Sequence, residues 1–349
     1  MTDRPTRIIF ITNYRSLLPT RPYKNIFVER EFRAMREAGV DVEFFDIGVS
    51  HHPVKVFRSW RALKRRIRET NADLLHAQYG TIVSFVTTTT LHPSVVTYCG
   101  SDLLYGASVP PWRIYLGIFL SNVASVLAKG AICVTDELRR ALWWRRRNVD
   151  VIPRGVNLHV FKPGSRADAR RKLGWDAQKR IVLFMGARDP ENKGQPLAEE
   201  AMRIVHEQMP DVEMHIAREV APDEVPLYYA AANVLLFPSR QEGSPNVIKE
   251  ALACNLPIVA VPVGDVEERL HGVKRTTVVP RNPRSVAEAL IEMLRSDEPS
   301  DGRAHVEALS MEATAERIIA VYERVLGRPL VRTPRAESEP QLAAVASST

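Results

Sequence analysis

Cysteine is scarce in this chain: three in 349 residues, Cys99, Cys133 and Cys254, each among apolar or small neighbours and none at metal-ligand spacing. A disulfide framework is thereby excluded, and buried thiols in a reducing compartment are expected. Long hydrophobic runs are missing as well. The longest, IYLGIFLSNVASVLA at 114–128, is too short and too polar to span a bilayer, and MTDRPTRIIF carries no apolar signal region. A soluble, cytoplasmic protein is expected, with peripheral contact to the inner face of the membrane as an option. His51, His52, His76 and His271 lack partners at ligand spacing, so they read as structural or solvent-exposed rather than as a metal site or general base.

Acidic residues are short in the first half. Residues 1–165 hold 24 Lys and Arg against 13 Asp and Glu, whereas the remainder holds 24 against 28, for a net charge of +7. The basic half mixes arginine with tryptophan in RSWRALKRRIRE (58–69) and ELRRALWWRRR (137–147). Such a mixture suits an anionic membrane surface, where rings sit at the headgroups and each basic residue adds about 1 kcal/mol. A solvated helix face with core tryptophans is the alternative. No nucleic-acid motif accompanies the charge, so nucleic acid is not expected as a partner.

What the chain does have is a normal hydrophobic fraction, 45%, and length enough for two domains. Short apolar runs at 7–12, 41–47, 73–78, 94–99, 130–135 and 150–153 alternate with amphipathic stretches such as 25–39. This alternation implies parallel strands joined by helical crossovers. It pauses over 155–178 and resumes with strands at 180–186, 212–217, 233–239, 257–263 and 276–280. The fold class is therefore α/β: two doubly wound Rossmann-like domains facing a central cleft, lined by the strand C-termini. The expected domains are 1–160 on the acceptor and membrane side and 161–305 on the nucleotide side. A helix over 306–327 is expected to pack back toward the first domain, and 328–349, rich in Pro, Ser and Ala, to be disordered.

Two loops after strands carry the chemistry. GARDPENKGQ (186–195) sets Arg188 and Lys193 before a helix starting near Gly194. Side-chain cations beside free amides make an anion site fit for a diphosphate, unless the loop is only polar surface. In SRQEGSPNVIKEALACNLP (239–257), Ser244 is the expected N-cap and Pro245 the first helical residue. Asn255 is expected at a left-handed C′ position, giving a helix over about 245–254. Glu242 then lies ahead of the helix and Glu250 within it. Each could accept paired hydrogen bonds from vicinal hydroxyls, or serve as dipole partner and solvated side chain respectively.

In this order, G-x-R-x4-KG and PS-x2-EGSPNVIKEALACNLPIVA resemble the retaining glycosyltransferases of family 4, which have the GT-B fold. Supporting pieces are DLLHAQ (73–78), VVTYCGSDLL (95–104), VIPRGVNLHVFKP (151–163) and VGDVEERL (263–270). The resemblance implies that Arg188 and Lys193 bind the donor diphosphate and that Glu242 contacts the transferred sugar. It implies that Glu250 contacts the ribose and that amides around Gly243, Ser244 and Asn246 approach the phosphates. No cofactor beyond the nucleotide-sugar substrate is implied and no metal, since Asp41/Glu43 and Asp211/Glu213 open strands and lie away from the cleft. Cys99 stands where a family His is common, and Asn25 near an acceptor loop that is usually glycine-rich; with Asp102 these are the acceptor-side candidates. The implied reaction moves a sugar, from a UDP-sugar in preference to GDP-mannose, to a lipid-linked acceptor or cell-surface polysaccharide. The alternatives are an epimerase or phosphorylase of the same fold, or an inactive membrane scaffold.

Overall fold

The computed structural model describes residues 4–13, 26–48, 52–100, 102–104, 111–144, 148–186 and 189–333. Strands form at all eleven expected places, several shorter than the apolar runs that mark them. β1 (Arg7–Thr12), β2 (Asp41–Asp46), β3 (Leu74–Ala77), β4 (Ser94–Tyr98), β5 (Gly130–Cys133) and β6 (Asp150–Val151) build one sheet in the order β2-β1-β3-β4-β5-β6. β7 (Arg180–Met185), β8 (Val212–Ala217), β9 (Val234–Phe237), β10 (Ile258–Ala260) and β11 (Thr276–Val278) build a second in the order β11-β10-β9-β7-β8. Every pairing is parallel.

Burial on both faces explains why the strands read as continuous apolar runs rather than alternating ones. Along β1, Ile8 and Phe10 enter one core while Ile9 and Ile11 enter the other. In the second sheet Leu183 faces one core, and Val182 and Phe184 the opposite one.

Right-handed crossovers decide which helix covers which face. α1 (Ile26–Glu37) connects β1 to β2, stepping one way along the sheet. α2 (Pro53–Thr70), α3 (Thr81–Thr88) and α4 (Pro111–Leu127) follow steps in the opposite direction, so these three share the other face. The cores agree: Phe32 and Met35 of α1 pack with Ile8 and Phe10, whereas Leu63 of α2 and Val83 of α3 pack with Ile9 and Ile11.

The last helix, Met311–Leu326, joins α1 on its face of the first sheet, burying Ala315, Ile318, Ile319 and Tyr322. The chain crosses between the sheets at two adjacent points. Val156 N donates to Leu309 O at 2.8 Å, and Met311 N donates to Val156 O at 3.0 Å. Nearby, the Arg303 guanidinium donates to the carbonyls of Leu158, Phe161 and Ala253.

One expectation is corrected. Residues 328–333 are not a loose tail but a strap on the first domain. Leu330 is buried, Thr6 N donates to Val331 O, and Thr333 N donates to Gly39 O. A buried leucine and paired backbone groups offset the ordering entropy that the Pro-rich composition alone does not. Residues 334–349 lie outside the described set.

His76 is structural. Tyr322 O–H and Gln78 Nε2 both approach its Nδ1, at 2.5 and 3.2 Å, so Nδ1 accepts and Nε2–H donates to Thr97 Oγ1 at 2.7 Å. Burial, reinforced by the charge of Arg154, lowers its pKa to about 3 and keeps the ring neutral. Tyr322→Phe should therefore lower unfolding free energy by about 1–2 kcal/mol, the usual cost of a lost buried hydrogen bond. Urea denaturation read at the first domain's transition measures it.

Candidate active site

The cleft side of the second sheet is built by two loops fastened to each other. After β7 the chain makes a single helical turn, Pro190–Lys193, capped by the Asp189 carboxylate accepting from Asn192 N at 3.1 Å. Gly194 follows at φ +77° and opens the helix Gln195–Gln208. A side chain at Gly194 would put its Cβ 2.0 Å from Pro238 O, so only glycine lets the two loops approach this closely. Arg240 N donates to Asn192 O at 2.7 Å, and Arg281 Nη1 donates to Pro238 O at 2.8 Å. The product of this docking is a part-buried ion pair: Lys193 Nζ lies 2.5 Å from Glu242 Oε1. Two residues separated by 49 positions, both expected on the donor side, are thus brought into direct contact. Arg188, placed with them from the sequence, lies outside the described residues, and so does Asn25.

Beyond Glu242 the chain turns through Gly243, whose missing side chain leaves room for Cys99 O of the first domain; a Cβ there would sit 3.1 Å from it. Gly264, at φ +55°, would place a Cβ 2.1 Å from Gly243 O, and Asp265 N donates to that same oxygen at 3.0 Å. The turn is held from below by the loop after β10.

The expected helix start is corrected by one residue. Pro245, extended at ψ 122°, is the N-cap, and the helix runs Asn246–Ala253. Ser244 does not cap it: its hydroxyl donates to Asp265 Oδ2 at 2.7 Å and accepts from Lys249 Nζ at 3.2 Å. The first amides of this helix therefore keep no side-chain cap. At the far end Asn255 takes φ 55°, the expected left-handed position.

Beneath the turn lies a group that motif reading missed. Lys249 is fully buried, and its ammonium donates to Arg154 O at 2.8 Å and to Ser244 Oγ at 3.2 Å. Burial lowers its pKa to about 7, opposed by the nearby carboxylate of Asp265. Its neighbour Glu250 is also buried. Oε1 accepts from Arg30 Nη1 at 2.7 Å, and Oε2 accepts from the Tyr229 hydroxyl at 3.0 Å. Both oxygens of the second motif glutamate are therefore engaged, one of them by α1 of the opposite domain.

The first-domain wall is equally polar. Glu31 accepts from Gln78 Nε2 at 2.7 Å and lies 3.7 Å from Arg154 Nη1; burial raises its pKa against the pull of Arg154. Arg154 Nη2 approaches Cys99 Sγ at 2.9 Å, and burial pushes that thiol up to about 11, so it stands as a thiol. Asp102 does not reach the acceptor side as expected. It is fully buried, and its carboxylate accepts from the amides of Gly80, Cys99 and Gly100 at 2.8–3.1 Å, which shapes the loop but leaves it unable to touch a ligand. Burial raises its pKa, and those amides oppose the rise. Arg30, Arg154 and Lys249 left no signal in sequence beyond a lysine beside the motif glutamate and an arginine before the Gly155 linker. The Asp and Glu pairs at 41/43 and 211/213 lie at strand starts, engaged with Arg7, Arg66, Lys179 and His215.

With this geometry in place, comparison with known proteins is informative. The profile of Glycosyltransferase Family 4 matches residues 17–160, and that of Glycosyl transferases group 1 matches 215–296. A D-inositol 3-phosphate glycosyltransferase of Segniliparus rotundus is 29% identical over 216 residues, 52% of this chain and 48% of that protein. The chain spans about half the length of the curated relatives it matches. Sucrose-phosphate synthase of Thermosynechococcus elongatus superposes with a TM-score of 0.73 at 21% identity, over 92% of this chain and 99% of that one. The Anabaena protein Alr3699/HepE, solved with UDP-glucose, superposes at 0.62 and 17% identity over 92% and 98%. These likenesses give the GT-B fold.

The buried ammonium sets a pH signature. A lysine whose folded pKa lies near 7 rather than 10.5 contributes stability that is complete above 10.5 and is lost as pH falls toward 7. The melting temperature of Lys249→Met relative to the natural chain should therefore be most favourable near pH 7 and decline steadily toward pH 10. Thermal melts across that range check the sign.

Proposed function

We propose that the chain, matched by the Glycosyltransferase Family 4 and Glycosyl transferases group 1 profiles in its two halves and built on the GT-B fold, is a retaining glycosyltransferase. It moves a sugar from a nucleotide-sugar donor, a UDP-sugar, to a lipid-linked or polysaccharide acceptor at the cell surface. One observation carries this reading: the Lys193–Glu242 pair, held between two fastened loops and followed at once by Gly243, which abuts Cys99 and Gly100 of the other domain.

The chemistry follows from that pair. A donor diphosphate offers Lys193 a more highly charged partner than a single carboxylate. Its arrival frees Glu242 to accept hydrogen bonds from the sugar hydroxyls. Amides at the start of helix Asn246–Ala253 and the side chain of Arg188 add to the anion site. Negative charge grows on the departing nucleoside diphosphate, so cations already in place stabilise the transition state more than the ground state. The acceptor hydroxyl attacks from the face the diphosphate leaves, and the leaving phosphate takes its proton, which keeps the anomeric configuration. No metal ion enters this route. Glu250 reaches the ribose when Arg30 withdraws from it. The UDP-glucose in the Anabaena structure supports the choice of donor.

Lys193→Ala and Glu242→Gln should each reduce sugar transfer by about 10²–10³-fold, the range seen when one charge-stabilising contact is removed. Circular dichroism should show the fold intact. A Glu242→Ala variant with near-natural turnover would remove the site assignment. Calorimetry with UDP, GDP and ADP, followed by a donor screen scored by slow hydrolysis, identifies the base and the sugar.

A further inference from the structure

α4 is built inside out. Apart from Ile114, the residues it buries are small or polar: Ser121, Asn122, Ala124 and Ser125, with Gly117 half-buried beside Thr81 of α3. Ser121 Oγ accepts from Thr81 N at 2.7 Å and donates to Asp102 O at 2.8 Å, and a Cβ at Gly117 would sit 3.1 Å from Thr81 Cγ2. Six of its large apolar residues point outward. Trp112 is 63% exposed, Tyr115 64%, Leu116 47%, Phe119 48%, Val126 54% and Leu127 42%. Their spacing of three, four and seven places them on one stripe. A surface helix normally does the reverse. Asn122 enlarges the patch, because its Oδ1 accepts from Trp143 N at 2.7 Å and brings exposed Trp143 and Trp144 alongside. A continuous apolar surface of this kind marks an interaction face.

The charge around the stripe identifies the occupant. Between Asp102 and Asp136 the chain has no acidic residue, and its two charges are Arg113 and Lys129. α2 lies on the same face of the sheet and turns Arg58, Arg61, Lys64 and Arg68 to solvent, with Lys64 Nζ 4.7 Å from the centre of the Trp60 ring. An apolar stripe with exposed Trp and Tyr, and a basic helix one position away across α3 on the same face of the sheet, are the complement of an anionic lipid bilayer. At 17 residues α4 extends about 25 Å, and among the described residues no helix is long and apolar enough to cross a membrane. It would lie in the interface plane.

We propose that α4 is an in-plane membrane helix: Trp112, Tyr115, Leu116 and Phe119 insert among the acyl chains, and α2 meets the anionic headgroups. The docking does not depend on glycosyl transfer. It would, however, hold the Cys99–Gly100 wall of the cleft close to the bilayer, since the segment after it leads into α4.

The test is vesicle flotation of the full chain, with phosphatidylcholine alone and with about 30% phosphatidylglycerol. The natural chain should float with the anionic vesicles, and Trp112→Ser/Phe119→Ser should cut the bound fraction by about tenfold or more. Arg61→Glu/Lys64→Glu, altered only at exposed side chains, should also weaken binding to anionic vesicles; it decides the matter if the serine variant fails to fold. UDP binding, unchanged in both, is the separate readout on the donor site. The proposal falls if the natural chain ignores anionic vesicles or if both variants float as it does. It also falls if sedimentation shows a dimer that Trp112→Ser/Phe119→Ser dissociates, which would assign the face to a second copy.

Discussion

The ammonium of Lys249 lies where three parts of the molecule meet, and much of the cleft depends on it. It reaches the carbonyl of Arg154 in the linker between sheets and the hydroxyl of Ser244 in the turn after Glu242. Through Ser244 it is joined to Asp265 in the loop after β10. A charge buried this fully is tolerated only when oxygen atoms surround it, so each of these segments must come to it. The lysine therefore sets the positions of the linker and of the candidate donor turn at once.

Around that point the two domains share side chains rather than merely touching. Glu250, from the second domain, is gripped by Arg30 of the first and by Tyr229 of its own. Arg154 lies between Glu31 and Cys99. A single carboxylate therefore ties the two domains at this seam. The glycines act in the other direction. Gly194, Gly243 and Gly264 each remove a side chain where backbone oxygens would otherwise be struck, so the loops can close on one another.

The first domain is organised in layers with different duties. One face of its sheet is sealed by α1 and the last helix, an ordinary apolar core reinforced by neutral His76. The other carries α2, α3 and α4, where the α3–α4 contact is made by small hydroxyl-bearing residues and hydrogen bonds. Close packing of small polar surfaces there accompanies an aromatic side of α4 that is exposed.

The linear sequence determined what depends on local pattern. Apolar runs placed all eleven strands, alternation with amphipathic stretches made them parallel, and Asn255 ended its helix where a left-handed residue is tolerated. The same pattern put the Lys193 and Glu242 loops after strand C-termini, but strand order and the direct contact of the two residues were not legible in it. Tertiary structure alone decided the rest. Ser244 is not the cap but is held between Asp265, 21 positions on, and Lys249. Asp102 turned into its own loop because three amides converged there. Arg30 and Glu250, 220 positions apart, met across the domain seam, and α4 set Gly117 and Ser121 against Thr81 of α3 with its aromatics outward. Each of these depends on a partner distant in sequence, and a charge or hydroxyl chooses among partners only when folding has brought them within hydrogen-bonding distance.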